Sequence, residues 1–172
     1  MFRGRPIAFG LDRRSANGFI AGTIRSGPMP IPFLACMAAA AHFYQLPPRV
    51  LPSLQAVEGG AVGRTHINAD GSVDLGVMQV NSRWVEPLAR YAGMRPADVR
   101  SRLLDDACFN IAAAAAIMRT CLIEARGDLM LAVGNYHSHT PALNQTYQDA
   151  VLGSAWRLFG PRAVVARAPA GR

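Results

Sequence analysis

Apolar residues recur along much of this chain at intervals of three and four, the spacing of one face of an α-helix. The clearest case predicts a long buried helix, which we expect to begin after Asp105 or Asp106 and to end near Arg126 as the longest of the fold. Its inner face is Cys108, Ile111, Ala115, Met118 and Leu122. The same spacing predicts further helices over about Pro32–Gln45, Arg49–Glu58, Ser82–Tyr91, Pro96–Leu104 and Asp128–Val133.

A last helix should begin at Thr140-Pro141, because proline is favoured in the first turn of a helix. Its predicted inner face is Leu143, Tyr147, Val151, Ala155 and Leu158. The sequence therefore predicts a mainly α-helical fold.

The segment from Ala61 to Val80 has a different pattern. Asn68-Ala69-Asp70-Gly71-Ser72 is a strong turn signal between short extended pieces, which predicts a small β-hairpin. Beyond it, apolar and polar residues alternate, so Met78 and Val80 should point inward and Gln79 and Asn81 toward solvent. Asp70 belongs to the predicted turn, and we expect its role to be structural.

Length and composition favour one domain with one hydrophobic core, since the chain has 172 residues and 51% of them are hydrophobic. Residues 1–30 show no sustained periodicity and are predicted to be a flexible segment. Residues 161–172 are an Arg/Ala/Pro tail, predicted to be disordered and basic. The folded domain should span residues 31–160.

The net charge of +7 is carried by these flanks. Residues 31–160 contain ten Arg and ten Asp or Glu residues, so the predicted domain is neutral. A nucleic-acid-binding domain is expected to carry its basic residues on the folded part. We therefore expect no nucleic-acid partner.

Signals for membranes and export are weak in this sequence. No apolar run approaches the ~20 residues of a membrane-spanning helix, so no transmembrane span is predicted. The apolar stretch from Gly18 to Ile24 is short for the hydrophobic part of a secretory signal, and Arg25 interrupts it.

Glu58 is the strongest candidate for chemistry. It follows the largely apolar stretch from Val50 to Val57, and Gly59-Gly60 follow it, which predicts a carboxyl group in the last turn of a buried helix. Apolar surroundings and the negative end of the helix dipole should both raise its pKa. A carboxylic acid that stays protonated near neutral pH is a proton donor for glycosidic-bond cleavage.

Three blocks together resemble a known family. They are Glu58-Gly59-Gly60, the Gly-x-Met-Gln-x-Asn block from Gly76 to Asn81, and Ala132-Val133-Gly134-Asn135-Tyr136. Over roughly Pro32 to Phe159 the chain resembles the lysozyme-like lytic transglycosylases, most closely the small peptidoglycan-cleaving enzymes of conjugation and other secretion machines. It departs from the family's Glu-Ser-Gly at Gly59, and from its Tyr-Asn-Ala-Gly at Tyr136-His137-Ser138-His139.

The resemblance implies a lysozyme-like (SLT-type) helical domain with the hairpin beside a cleft. It implies that Glu58 is the catalytic acid in cleavage of peptidoglycan strands to 1,6-anhydro products, in the periplasm or cell envelope. The substrate would be bound by Met78, Gln79, Asn81 and Tyr136. A hydrolytic goose-type lysozyme and a non-catalytic wall-binding assembly protein are the alternatives.

Two further residues have supporting roles in this interpretation. Asp74, beside Gly76, could hold the hairpin against a helix; a role as a water-activating base is the weaker expectation. Gly76 opens the Met-Gln-x-Asn block. Tyr136 should form a hydrogen bond near Glu58 or to the acetamido group of the substrate, or else pack the last two helices.

The cysteines leave several pairings open on geometry. Cys108 and Cys121 are thirteen positions apart on one predicted helix, about 20 Å, which is beyond disulfide reach. Cys36 can therefore pair with either, or all three thiols can be reduced. The resemblance implies a Cys36–Cys108 disulfide.

No metal and no cofactor are predicted. The pair His137-x-His139 is a weak signal by itself, and His66 adds no recognised ligand spacing. The hairpin from Asn68 to Asp74 has some features of a calcium loop, but the bidentate glutamate that would close such a loop is absent.

Overall fold

The computed structural model describes residues 31–161 of this protein. Their fold is mainly α-helical with a small antiparallel sheet, as the sequence predicts. The predicted flexible segment 1–30 and residues 162–172 of the predicted tail lie outside the described residues. The elements are α1 Leu34–Phe43, α2 Val50–Glu58, β1 Thr65–Ile67, β2 Val73–Leu75, β3 Val80–Asn81, a 3-10 helix Ser82–Trp84, α3 Val85–Ala92, α4 Pro96–Asp105, α5 Ala107–Glu124, α6 Leu129–His137 and α7 Pro141–Phe159.

Short polar side chains fix where the central helices begin. The carboxylate of Asp106 accepts the backbone N–H of Phe109 at 3.0 Å and caps α5. Asp128 caps α6 in the same way. Such caps satisfy backbone donors that have no partner within the helix. Three features differ from the predictions. Helix α6 continues to His137, and α7, with 19 residues, is one residue longer than α5. The predicted helix Ser82–Tyr91 begins as a 3-10 helix and becomes α-helical at Val85.

The inner face of α7 was predicted in part correctly. Tyr147 and Val151 are buried, but Leu143 and Leu158 are 52% and 38% exposed. Asn144 and Ser154 take the buried positions instead. The buried amide of Asn144 donates to Asn135 of α6 and to the carbonyl oxygen of Ser138, which directly follows α6. Apolar spacing alone does not reveal such a polar contact.

The sheet has three strands in the order β1-β2-β3, one more than the predicted hairpin. Asp70 shapes the first turn, where its carboxylate accepts the N–H of Ser72 at 2.9 Å, so its structural role is as expected. Between β2 and β3 the chain reverses at residues 76–79, and Gln79 has a left-handed backbone with φ of 47°. The predicted strand alternation therefore fails at Gln79, which lies in a turn, although Met78 is fully buried.

The core forms around α5. Its predicted inner face includes the buried residues Ile111, Ala115 and Met118, and a run of small buried residues, Ala113–Ala116, provides close packing surfaces. By length and composition α5 could also span a membrane, but 56% of it is buried within the domain, as in an ordinary core helix. The absence of a transmembrane span thus stays a prediction.

A disulfide joins α1 to the start of α5. It links Cys36 to Cys108, whose Cα atoms are 5.3 Å apart, and this is the pairing that the resemblance implies. Cys121 is a buried free thiol. Burial raises its pKa to about 12, so it remains protonated at neutral pH.

One buried amide fixes the turn between β2 and β3. The Nδ2 group of Asn110, on α5, donates to the carbonyl oxygens of Leu75 and Leu103, each at 2.7 Å. Its Oδ1 atom accepts the N–H of Met78 at 2.7 Å. Gly76 makes this approach possible, since a Cβ atom there would overlap with the Leu103 carbonyl and the Asn110 side chain.

We predict that Asn110→Ala lowers the free energy of unfolding by about 3 kcal/mol or more, because it leaves buried polar groups without partners. Urea unfolding of the purified protein measures this. Gln145→Ala, at an exposed amide on α7, is the control and should change the value by less than about 0.5 kcal/mol. A loss below about 1 kcal/mol for Asn110→Ala would contradict the assignment.

Candidate active site

A polar cleft of about 690 Å³ lies between the sheet and the helices α2, α5 and α6. It contains four of the residues predicted from the sequence for catalysis or substrate binding, together with Asp74. Met78 and Gly76 are not among its lining residues. The lining is Glu58, Asn68, Ala69, Asp70, Ser72, Asp74, Gln79, Val80, Asn81, Arg83, Trp84, Ile117, Cys121, Glu124, Asn135, Tyr136, His137, Ser138, His139 and Leu143.

Glu58 is the last residue of α2 and borders this cleft. Gly59 ends the helix with a left-handed backbone, φ of 60°, as predicted. Gly60 then passes so close to the turn after β2 that a Cβ atom would overlap with the Gly76 carbonyl. The two glycines therefore bring the end of α2 against the turn that carries Gln79.

The carboxyl group of Glu58 has a raised pKa, from 4.5 to about 7. Burial is the largest cause, because desolvation disfavours the charged form. A hydrogen bond from Tyr147 opposes it by stabilising the carboxylate, and the negative charge of Asp74 raises the pKa further. The predicted rise of the pKa is confirmed. The second cause that raises it is the charge of Asp74, whereas the sequence predicted the helix dipole. At neutral pH a large share of this group is protonated.

The tyrosine that forms a hydrogen bond with Glu58 is Tyr147 of α7. Its hydroxyl donates to Oε1 of Glu58. Tyr136, predicted to form a hydrogen bond near Glu58 or the acetamido group or else to pack the last two helices, donates to the carbonyl oxygen of Met78 at 3.3 Å. Burial, with the charge of Glu58 next, raises the pKa of Tyr136, so its hydroxyl stays a donor. Tyr147 was predicted only as a core residue of α7, although a buried tyrosine hydroxyl usually has a hydrogen-bond partner.

The sheet holds Asp74 with neutral amides. Its two carboxylate oxygens accept hydrogen bonds from Asn81 at 2.8 Å and from Asn68 at 3.0 Å. The Nδ2 group of Asn81 also donates to Ser72 at 2.9 Å, and its Oδ1 accepts the N–H of Arg83. Asp74 thus secures strands and turns of the sheet to one another. A supporting role was predicted for Asp74, and these hydrogen bonds lie within the sheet and its turns, whereas the predicted contact was with a helix.

The side-chain amide of Gln79 is only partly used in hydrogen bonds among the described residues. Its Nε2 group donates to the Gly76 carbonyl at 2.7 Å, which leaves Oε1 as the remaining acceptor. A left-handed backbone at a residue other than glycine costs of order 1 kcal/mol, and such strain concentrates at functional sites. Gln79 therefore combines a strained backbone, a fixed amide and a position on the cleft wall.

Metal binding has little support in the described part of the chain. No group of three or more His, Cys, Asp and Glu side chains there has an arrangement that could hold a metal ion. His137 and His139 line the cleft, and the closest partner of His139 is Glu124 at 3.4 Å. His66 lies on the exposed strand β1.

No protein-family model matches this sequence, and no curated protein is similar to it at a significant level.

We predict that Tyr147→Phe raises the pKa of Glu58 above about 7, because the hydrogen bond that it removes favours the carboxylate. Carbon-13 NMR of the glutamate side chains measures this directly, since the chain has only three glutamates. Tyr91→Phe, outside the cleft, is the control. A lowered or unchanged Glu58 titration in Tyr147→Phe would show that the tyrosine does not act on this carboxyl group.

Proposed function

We propose that this protein is a lytic transglycosylase that cleaves the β-1,4 bond between N-acetylmuramic acid and N-acetylglucosamine in peptidoglycan. The observation that carries the proposal is the placement of Glu58, a largely buried carboxyl group that accepts a hydrogen bond from Tyr147, on the wall of a cleft of about 690 Å³, where burial raises its pKa to about 7. A general acid works best when its pKa is near the operating pH. The substrate class is inferred from the resemblance of the sequence blocks around Glu58, Gln79 and Tyr136 to the lytic transglycosylases.

In the proposed reaction Glu58 donates its proton to the bridging oxygen as the glycosidic bond breaks. The resulting carboxylate then accepts the proton of the C6 hydroxyl of the muramic acid, whose oxygen bonds to C1. The product is a 1,6-anhydro sugar, Glu58 regains its proton and no water is consumed. The acetamido group of the substrate would stabilise the developing cation, which removes the need for a second carboxylate as nucleophile.

The hydrogen bond from Tyr147 fits both roles of Glu58. The hydroxyl stabilises the carboxylate that exists between the two proton transfers, while burial favours the acid at the start and end. The free Oε1 atom of Gln79 is suited to accept an N–H or O–H group of the sugar. Asn81 and Tyr136 also line the cleft. Because both side chains already form hydrogen bonds within the protein, their main role in the proposed reaction would be to hold the cleft wall in place.

A hydrolytic, lysozyme-type reaction is the second candidate. The observation in its favour is that Asp74 shares the cleft and its charge acts on Glu58. As a base it would have to hold and deprotonate a water molecule, with the two carboxyl groups about 6.5–9.5 Å apart in an inverting enzyme. Both oxygens of Asp74 already accept amide hydrogen bonds, which favours a structural role. A non-catalytic wall-binding protein would have no need for a raised pKa at Glu58.

We further propose that the protein acts in the periplasm or cell envelope, where peptidoglycan is found. A disulfide between Cys36 and Cys108 suits an oxidising compartment. Local opening of the wall for a secretion or conjugation apparatus is the role that the resemblance suggests. Peptidoglycan strands, and components of such an apparatus, would be the partners.

We predict that Glu58→Gln reduces the release of soluble muropeptides from purified sacculi by at least about 100-fold, because loss of a general acid removes a contribution of this size. Circular dichroism should show an unchanged fold. Glu86→Gln, at an exposed glutamate of α3 outside the cleft, is the matched control and should retain activity. Substantial lysis by folded Glu58→Gln would reject Glu58 as the acid.

We predict that digestion in heavy-oxygen water yields unlabelled 1,6-anhydro ends, because the C6 hydroxyl is already part of the sugar and gains an effective-concentration advantage over water. Mass spectrometry of the products measures the label. A hydrolytic lysozyme of known stereochemistry, digested in parallel, should give labelled reducing ends. Label in most new ends from this protein would favour the hydrolytic reaction instead.

A further inference from the structure

His137 stacks on the tyrosine that contacts Glu58. The two ring centroids are 4.7 Å apart and the ring planes differ by 5°, so the imidazole lies flat over the ring of Tyr147. Tyr147 is only 6% exposed, whereas His137 is exposed and lines the cleft. The imidazole therefore covers one face of the tyrosine ring.

The contact between α6 and α7 fixes this stack. Gly134 lets the helices approach closely, since a Cβ atom there would overlap with the side chain of Asn144. The Nδ2 group of Asn144 donates to Asn135 at 2.8 Å and to the carbonyl oxygen of Ser138 at 3.1 Å. Ser138 directly follows His137, and Asn144 lies one helical turn before Tyr147. These bonds set the end of α6 over the ring of Tyr147.

We propose that His137 is a positioning residue that acts through Tyr147: its ring covers the tyrosine and keeps water away from the hydrogen bond to Glu58. The inference deepens the proposed function, on which its meaning for catalysis rests. The stack itself is a property of the fold and can be tested without any substrate.

The surroundings of Glu58 decide the direction of the expected effect. The titratable groups whose charges act on Glu58 or face it are Tyr147 from α7, Tyr136 from α6 and Asp74 from β2. Asp70 and Arg83 at the sheet, Cys121 and Glu124 of α5, and His137 and His139 line the same cleft. Burial outweighs the hydrogen bond from Tyr147 as a cause of the raised pKa. When water replaces the imidazole, desolvation weakens and the pKa of Glu58 falls.

The test is carbon-13 NMR titration of the Glu58 carboxyl group in His137 variants, assigned with Glu58→Gln. In His137→Ala and His137→Gln, which lack the ring, the pKa should move from about 7 toward 4.5. His137→Phe restores a flat ring and should keep the titration near that of the unmodified protein. His139→Ala is the control, because His139 also lines the cleft but contacts Glu124.

Two outcomes would overturn the proposal. An upward shift in His137→Ala, like the one expected for Tyr147→Phe, would mean that the imidazole only holds the hydroxyl in place. An unchanged titration in His137→Ala, or a shift in His137→Phe equal to that in His137→Ala, would mean that the stacked ring excludes no water. Because the titration needs no substrate, absence of glycan cleavage would reject the proposed function and leave this result standing.

If the protein is active, kcat/KM should fall as pH rises through the pKa of Glu58. The pH at which it falls should change among the variants in the same order as that pKa. This pH should be lower in His137→Ala and near its original value in His137→Phe, because the acid must be protonated to donate. A residue with a merely structural role would lower activity without changing this pH.

Discussion

The amide of Asn110 is the contact on which the geometry of the cleft depends. Asn110 is fully buried, and the other buried residues of α5 are apolar. Its side chain forms hydrogen bonds with the backbones of Leu75, Met78 and Leu103. A buried amide that satisfies three backbone groups fixes their relative positions to within hydrogen-bond distance. The turn between β2 and β3 is thereby attached to the core, and the wall that carries Gln79 does not depend on a flexible loop.

The second constraint is the balance of effects at Glu58, which comes from separate elements. The end of α2 buries the carboxyl group, β2 places a negative charge nearby and α7 supplies a hydroxyl donor. Two of these effects raise the pKa and one lowers it, and burial is the largest. The outcome, about 7, suits a group that must release and regain a proton near neutral pH. No single element would produce it.

The polar residues of the sheet and its turns differ in how far their hydrogen-bonding groups are used within the protein. Asn68, Asn81 and Asp74 satisfy one another across the strands, so most of their hydrogen-bonding capacity is used within the protein. Gln79 keeps a free acceptor in a strained turn. The difference matters for function, because a residue type that suits sugar binding can be fully engaged in holding the scaffold.

Local pattern in the sequence determined most of the helices, the turn at Asp70-Gly71 and the position of Glu58 before a glycine stop. Those features depend on neighbours within a few residues, through periodicity, capping and backbone preference. The tertiary structure alone decided that Tyr147 contacts Glu58, that Asn144 replaces Leu143 on the inner face of α7 and that Asn110 anchors the turn. Glu58 and Tyr147 are 89 positions apart, and spacing along one helix carries no information about which hydroxyl a distant helix will present.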